Sequence, residues 1–157
     1  MGRPRRRKLS DIAPPEYISS ELYLLDTHVW LWLISQHEMI SRSKALPVIN
    51  AASREGKLYV SAISVWELGV LEKKRRIQPI TDFSIWIENA IASSQVTVIP
   101  LDAEIAVEST RLPGNFYKDP ADCFLVATAR NRNAVLITGD KQIITYAHQN
   151  HVNVIPV

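Results

Sequence analysis

Apolar residues recur along this chain in short unbroken runs, and longer mixed stretches separate them. Leu22–Leu25 is the first run and ends at Asp26. Lys57–Ala62, Val96–Ile99, Ala134–Thr138 and Val152–Ile155 follow. Continuous runs of this kind read as strands covered on both faces. Between them the spacing predicts helices over Thr27–Ser35, Ser41–Arg54, Ser64–Arg76, Asp82–Ser93, Asp102–Arg111, Pro120–Asn131 and Lys141–Gln149. Pro47 marks a kink or a late start in the second, and Pro113–Lys118 is a loop. In the third, Trp66, Val70 and Leu71 fall on one face, and Lys73 to Arg76 form a basic last turn that suits the helix dipole. Strands alternating with helices predict an α/β fold: one domain, with a parallel central sheet of about five strands and helices on both faces.

Composition narrows the picture. At 157 residues, 46% of them hydrophobic and 22% charged, the chain can bury a core without disulfides. One cysteine, Cys123, excludes an internal disulfide framework and a multi-cysteine zinc site, and reads as a small buried residue. No apolar stretch is long enough to span a membrane, and the basic start has no apolar segment behind it, so a cytoplasmic protein is expected. The formal charge is +2, but Arg3, Arg5, Arg6, Arg7 and Lys8 alone carry +5, leaving −3 on the rest. Residues 1–20 therefore read as a basic, disordered tail, and 21–157 as the domain. Such a tail can attract phosphates through counterion release.

Four acids stand out by position. Asp26 ends the first strand, and Glu67 lies in the first turn of the helix after the second. Asp122 lies in the first turn of the Pro120 helix, and Asp140 opens the last helix. The carboxyl ends of parallel strands share one edge, so these side chains are expected to gather there. Each has a structural alternative. Ser64-Val65-Trp66-Glu67 matches a capping box, and Asp119-Pro120-Ala121-Asp122 matches an aspartate cap with proline behind it. Asp26 and Asp140 also stand at cap positions. Caps alone do not need four acids at one edge, where neighbouring carboxylates repel. An oxygen-only set of this kind suits Mg²⁺ or Mn²⁺, and such an ion suits a phosphodiester substrate.

The same residues resemble a known family. Leu24-Leu25-Asp26-Thr27-His28-Val29-Trp30-Leu31-Trp32 is similar to the opening of a PIN domain. Ser61-Ala62-Ile63-Ser64-Val65-Trp66-Glu67-Leu68 is similar to its second block. Asp119-Pro120-Ala121-Asp122 through Ala129, then Leu136-Ile137-Thr138-Gly139-Asp140, are similar to its third and fourth. The resemblance spans Leu22 to Val157. It implies a metal-dependent ribonuclease with catalytic and metal-binding Asp26, Glu67, Asp122 and Asp140. Asp119 is implied as a cap or accessory acid, and Thr138 as a hydroxyl that orients the last aspartate. The compact size resembles VapC-type toxins of toxin–antitoxin modules, which implies an RNA substrate, a cognate antitoxin and a homodimer. The basic residues 1–20 depart from that pattern.

Other residues are weighed on the same terms. Trp30 and Trp32 are two apart and cannot share a helix face, so one is core and the other a candidate interface residue. His28 is set aside as a metal ligand. Arg111, Asn115 and Lys118 are candidate phosphate contacts before Asp119. A non-catalytic PIN-like binding module is the competing function. Receiver, aspartyl-phosphate phosphatase and dinucleotide-binding readings fail: the first strand offers only Asp26, the residue two on is His28, and the first turn has no glycine.

Overall fold

The computed structural model describes residues 21–116 and 119–157. The basic segment before them, and Lys118 of the candidate phosphate contacts, lie outside the described residues. Five strands, β1 (Leu22–Leu25), β2 (Leu58–Ser61), β3 (Thr97–Ile99), β4 (Ala134–Thr138) and β5 (Asn153–Pro156), form one parallel sheet in the order β3-β2-β1-β4-β5. The expected α/β architecture is therefore observed. β1 is central because its residues are apolar on both sides. Leu24 faces one core with Leu125, Leu136 and Ile143, while Leu25 faces the other with Trp30, Leu58 and Ile137.

The helices are α1 (Thr27–Ile34), α2 (Glu38–Ser41), α3 (Leu46–Arg54), α4 (Ala62–Lys73), α5 (Phe83–Ser94), α6 (Ala103–Ser109), α7 (Pro120–Asn131) and α8 (Lys141–Ala147). Within the stretch read as a helix over Ser41–Arg54, the helix is α3, which starts at Leu46 with Pro47 in its first turn, so the late start is the correct alternative; the separate short α2 ends at Ser41. Two boundaries of α4 need correction. It starts at Ala62, because Ser61 at the end of β2 is the cap and its Oγ accepts the Ile63 N–H at 3.1 Å. It ends at Lys73 instead of Arg76. Arg75 takes a left-handed φ of 57°, and the Arg75 and Arg76 N–H groups fold back to the carbonyls of Glu72 and Leu71. That is a Schellman closure made without glycine. Trp66 is 61% exposed, while Leu68 holds the core side of α4. Among the described residues, no helix is long and apolar enough to cross a membrane.

Parallel register aligns the carboxyl ends that matter. Leu25 pairs with Val60 on one side and Ile137 on the other, which places Asp26, Ser61 and Thr138 side by side. The Asp26 N–H extends the ladder by one bond to the Ile137 carbonyl at 2.9 Å. β1 sends its connection to β2 on one flank while β4 packs on the other. The crevice between β1 and β4 is thus the reversal of strand order, where open parallel sheets take ligands.

Candidate functional site

A cavity of about 310 Å³ opens at that crevice, lined by Asp26, Glu67, Asp119, Asp122 and Asp140 together with His28, Trp32 and Gly139. All four acids singled out in the sequence reach it, and so does Asp119. They come from different elements: the β1–α1 junction, the second turn of α4, the cap and first turn of α7, and the β4–α8 turn. Among the described residues no three His, Cys, Asp or Glu side chains stand close enough together to hold a metal ion directly. The acids surround the space instead of meeting at a point.

Asp119 and Asp140 do cap their helices. Asp119 Oδ1 accepts the Asp122 N–H at 3.1 Å. Asp140 Oδ1 accepts those of Gln142 and Ile143 at 2.9 and 3.0 Å. Asp26 and Glu67 do not. Asp26 stands at the N-cap of α1, yet its side chain makes no cap hydrogen bond. Glu67 is not part of a capping box, because the cap is Ser61 and Ser64 is a fully buried residue inside the first turn. These two carboxylates carry the burial cost of acids without the usual helical return.

The hydroxyls explain how they are held. Thr138 Oγ1 donates to Asp26 Oδ2 at 2.5 Å and accepts the Asp140 N–H at 3.0 Å. Thr138 thus holds the backbone of Asp140 and, in addition, orients the Asp26 carboxylate, a bond the sequence did not indicate. Thr27 Oγ1 lies 2.6 Å from Glu67 Oε1 and 2.8 Å from Ser64 Oγ. A hydroxyl has one proton. With Thr27 donating to the carboxylate, Ser64 donates to Thr27. Sequence reasoning missed Thr27 and Ser64 as site residues. The available signal was the Ser64–Glu67 spacing of three, which puts both on one helix face.

Burial pushes the Asp26 carboxyl above its ordinary range. The Thr138 hydroxyl, His28 and the Thr27 N–H pull it back, and Asp140 pushes it up. Burial likewise raises Glu67, opposed by the Thr27 hydroxyl and assisted by the charges of Asp26 and Asp119. Both directions follow from desolvated acids crowded by acids.

Of the remaining candidates, Trp30 is fully buried and Trp32 is half-buried against the cavity. Arg111 is exposed and donates to Thr110 Oγ1. Cys123 is half-buried where a buried residue was expected.

A five-stranded parallel sheet with a carboxylate-lined cavity at its strand-order reversal defines an α/β domain built around an acidic cleft. Within that class, the PIN domain model matches residues 23–149, and the chain belongs to the PIN-domain family. It is 29% identical over 131 residues to Ribonuclease VapC22 of Mycobacterium tuberculosis, a match covering 83% of this chain and 96% of that protein. Its fold is similar to that of VapBC2 from Rickettsia felis bound to a DNA fragment from their promoter. There the TM-score is 0.62 at 16% identity, over 86% of this chain and 98% of the other. It is also similar to a toxin-antitoxin complex from Klebsiella pneumoniae, with a TM-score of 0.53 at 21% identity, over 85% and 95% of the two chains.

Proposed function

We propose that this chain is a divalent-cation-dependent endoribonuclease and the toxin of a toxin–antitoxin pair, cleaving RNA phosphodiesters at the cavity between β1 and β4. The observation that carries this reading is that Asp26 is buried and Glu67 half-buried without either side chain capping a helix. They share their cavity with Asp119, Asp122 and Asp140. Family membership and the likeness to Ribonuclease VapC22 support the nuclease. The likeness to VapBC and toxin-antitoxin complexes supports the antitoxin partner. A cytoplasmic setting and a homodimer complete the reading; light scattering would give about twice the 17.7 kDa chain mass for a homodimer.

The donor set fits a hard cation. It is oxygen-only, it is acidic beyond what capping needs, and it surrounds a space. Mg²⁺ takes one or two carboxylates directly and keeps several waters, so a spread set suits it. Asp26, Glu67, Asp122 and Asp140 would hold Mg²⁺ or Mn²⁺. A bound cation would offset the phosphodiester charge and acidify the attacking water. Thr138 fixes the Asp26 carboxylate, and Thr27 with Ser64 fixes that of Glu67. Glu67, its carboxyl raised by burial, is suited to take the proton of that water. Asp119 holds the first turn of α7 and thereby Asp122.

The test is cleavage of total cellular RNA by the full chain with Mg²⁺ or Mn²⁺, with EDTA, and by Asp26→Ala and Asp122→Asn. Cleavage should vanish in EDTA and in both variants, while circular dichroism stays native. Cleavage retained in both folded variants would overturn the reading in favour of a binding module.

A further inference from the structure

We infer that His28, Trp32 and His37 form a stacking platform for unpaired bases of an RNA strand entering the acidic cavity. The inference rests on the nuclease reading and adds how the strand is held. Trp32 lines the same cavity as the five acids, one helical turn after His28 on α1. The His28 and Trp32 ring centroids are 6.4 Å apart and tilted by 56°. His37 stacks on Trp32 at 6.0 Å and 27°. The far edge of the indole lies against the turn that carries Asp140, since a Cβ on Gly139 would sit 3.6 Å from Cη2 and Cζ3. Half-buried Trp32, which lines the cavity with His28, thus contacts two exposed imidazoles, His28 and His37. His37 is itself fixed: Nδ1 accepts the Met39 N–H at 3.1 Å, which leaves the proton of the neutral ring on Nε2.

The electrostatics explain why such a row is needed. Among the described residues lining the cavity there are five acids and no Lys or Arg. Phosphates gain nothing there from fixed cations. Aromatic rings grip bases through their π faces whatever the sequence, and only unpaired bases can reach them. A row of rings beside an acidic cleft therefore selects single strands and supplies affinity the carboxylates cannot.

The test uses the full chain carrying Asp122→Asn, to prevent cleavage, in Mg²⁺. The probes are a fluorescein-labelled uridine decamer and a ribose-phosphate decamer of equal charge that lacks bases. Fluorescence anisotropy should show the uridine decamer binding about tenfold tighter or more, in line with the stacking energy of even one base. Adding Trp32→Ala should erase that difference and leave the abasic affinity unchanged, while Trp32→Phe keeps most of it. If Trp32→Ala does not fold, His37→Ala carries the test and should narrow the difference. Equal affinity for the two decamers in the parent chain would overturn the platform. So would an unchanged uridine affinity in folded Trp32→Ala. A fluorescein-labelled octa-arginine peptide, titrated in the same assay, stands for a basic protein partner: its binding lost in Trp32→Ala with uridine binding intact would assign the rings to such a partner and also overturn the platform. Cleavage of total RNA by the wild-type chain alongside either result would sink the platform and leave the nuclease standing. Base-dependent binding without any cleavage would do the reverse.

Discussion

Thr138 Oγ1 donates to Asp26 Oδ2 at 2.5 Å, joining the ends of two neighbouring parallel strands whose residues lie far apart in sequence. The same oxygen accepts the Asp140 N–H, so one fully buried hydroxyl sets two of the acids at once. Thr138→Val keeps the shape and removes both bonds. Leaving buried polar groups without partners costs about 1–3 kcal/mol. For a domain of this size each kcal/mol lowers the thermal midpoint by about 2–4 °C. RNA cleavage should fall about tenfold or more, because Asp26 loses its orientation, and Thr138→Ser should restore most of it. A melting curve and a cleavage assay on the two variants check this, and equal activity in Thr138→Val would refute it.

Asp26 should be a site where activity and stability conflict. Burial holds its carboxyl above the ordinary value of 3.8, so the folded chain keeps a proton that the unfolded chain has already released. Stability is then lost as pH rises from the unfolded pKa through the folded one. Asp26→Asn removes that loss. In EDTA, the variant should melt above wild type at pH 8, and the gain should shrink as pH falls toward 4. Calorimetry across that range measures it, and no gain at pH 8 would count against the assignment.

What the sequence made legible was local or repeated along a strand. The five strands were readable because each is a continuous apolar run, which only a doubly covered sheet needs. The caps of α7 and α8 were readable because Asp119-Pro120 and Asp140 carry their signal within a few residues. The start of α4 was not, because the serine–glutamate spacing at Ser64 imitates a capping box while the true cap, Ser61, is three residues earlier. The hydroxyl chain from Ser64 through Thr27 to Glu67 joins β1–α1 to α4 across 37 and 40 residues. No window of local sequence contains it. Thr138 was found together with Asp140, but its second bond, to Asp26, depends on the β1–β4 register and lies in no local window.

The Thr27 contact gives a pH signature. Burial raises the Glu67 carboxyl, and the Thr27 hydroxyl opposes that rise. Thr27→Val removes the opposing bond, so the carboxyl moves further up. If ionised Glu67 takes the proton of the attacking water, the acid limb of the rate profile should shift to higher pH, with less change on the plateau. Thr27→Ser should keep the wild-type limb. Rates of a fluorogenic RNA from pH 5 to 9 read this out, and superimposable limbs for Thr27→Val and wild type would remove Glu67 from that role.

Trp30 and Trp66 look alike in the sequence, each inside an apolar helical stretch, and the structure separates them. Trp30 is fully buried, and its Nε1–H donates to Ser94 Oγ at 3.0 Å; Ser94 in turn donates to the Ala90 carbonyl at 2.6 Å. The indole therefore ties α1 to α5 through both packing and a satisfied polar atom. Trp30→Ala opens a large cavity and strips Ser94 of its donor, at a cost of about 3–5 kcal/mol. Trp66 is 61% exposed, so truncating it removes little from the core. Trp66→Ser should change stability by no more than about 0.5 kcal/mol and leave RNA cleavage at the wild-type rate, since the side chain does not line the cavity. Urea unfolding of both variants decides the matter. A loss at Trp66 comparable to that at Trp30 would mean that the outer face of α4 is covered in solution, and the exposed indole would then be an interface residue.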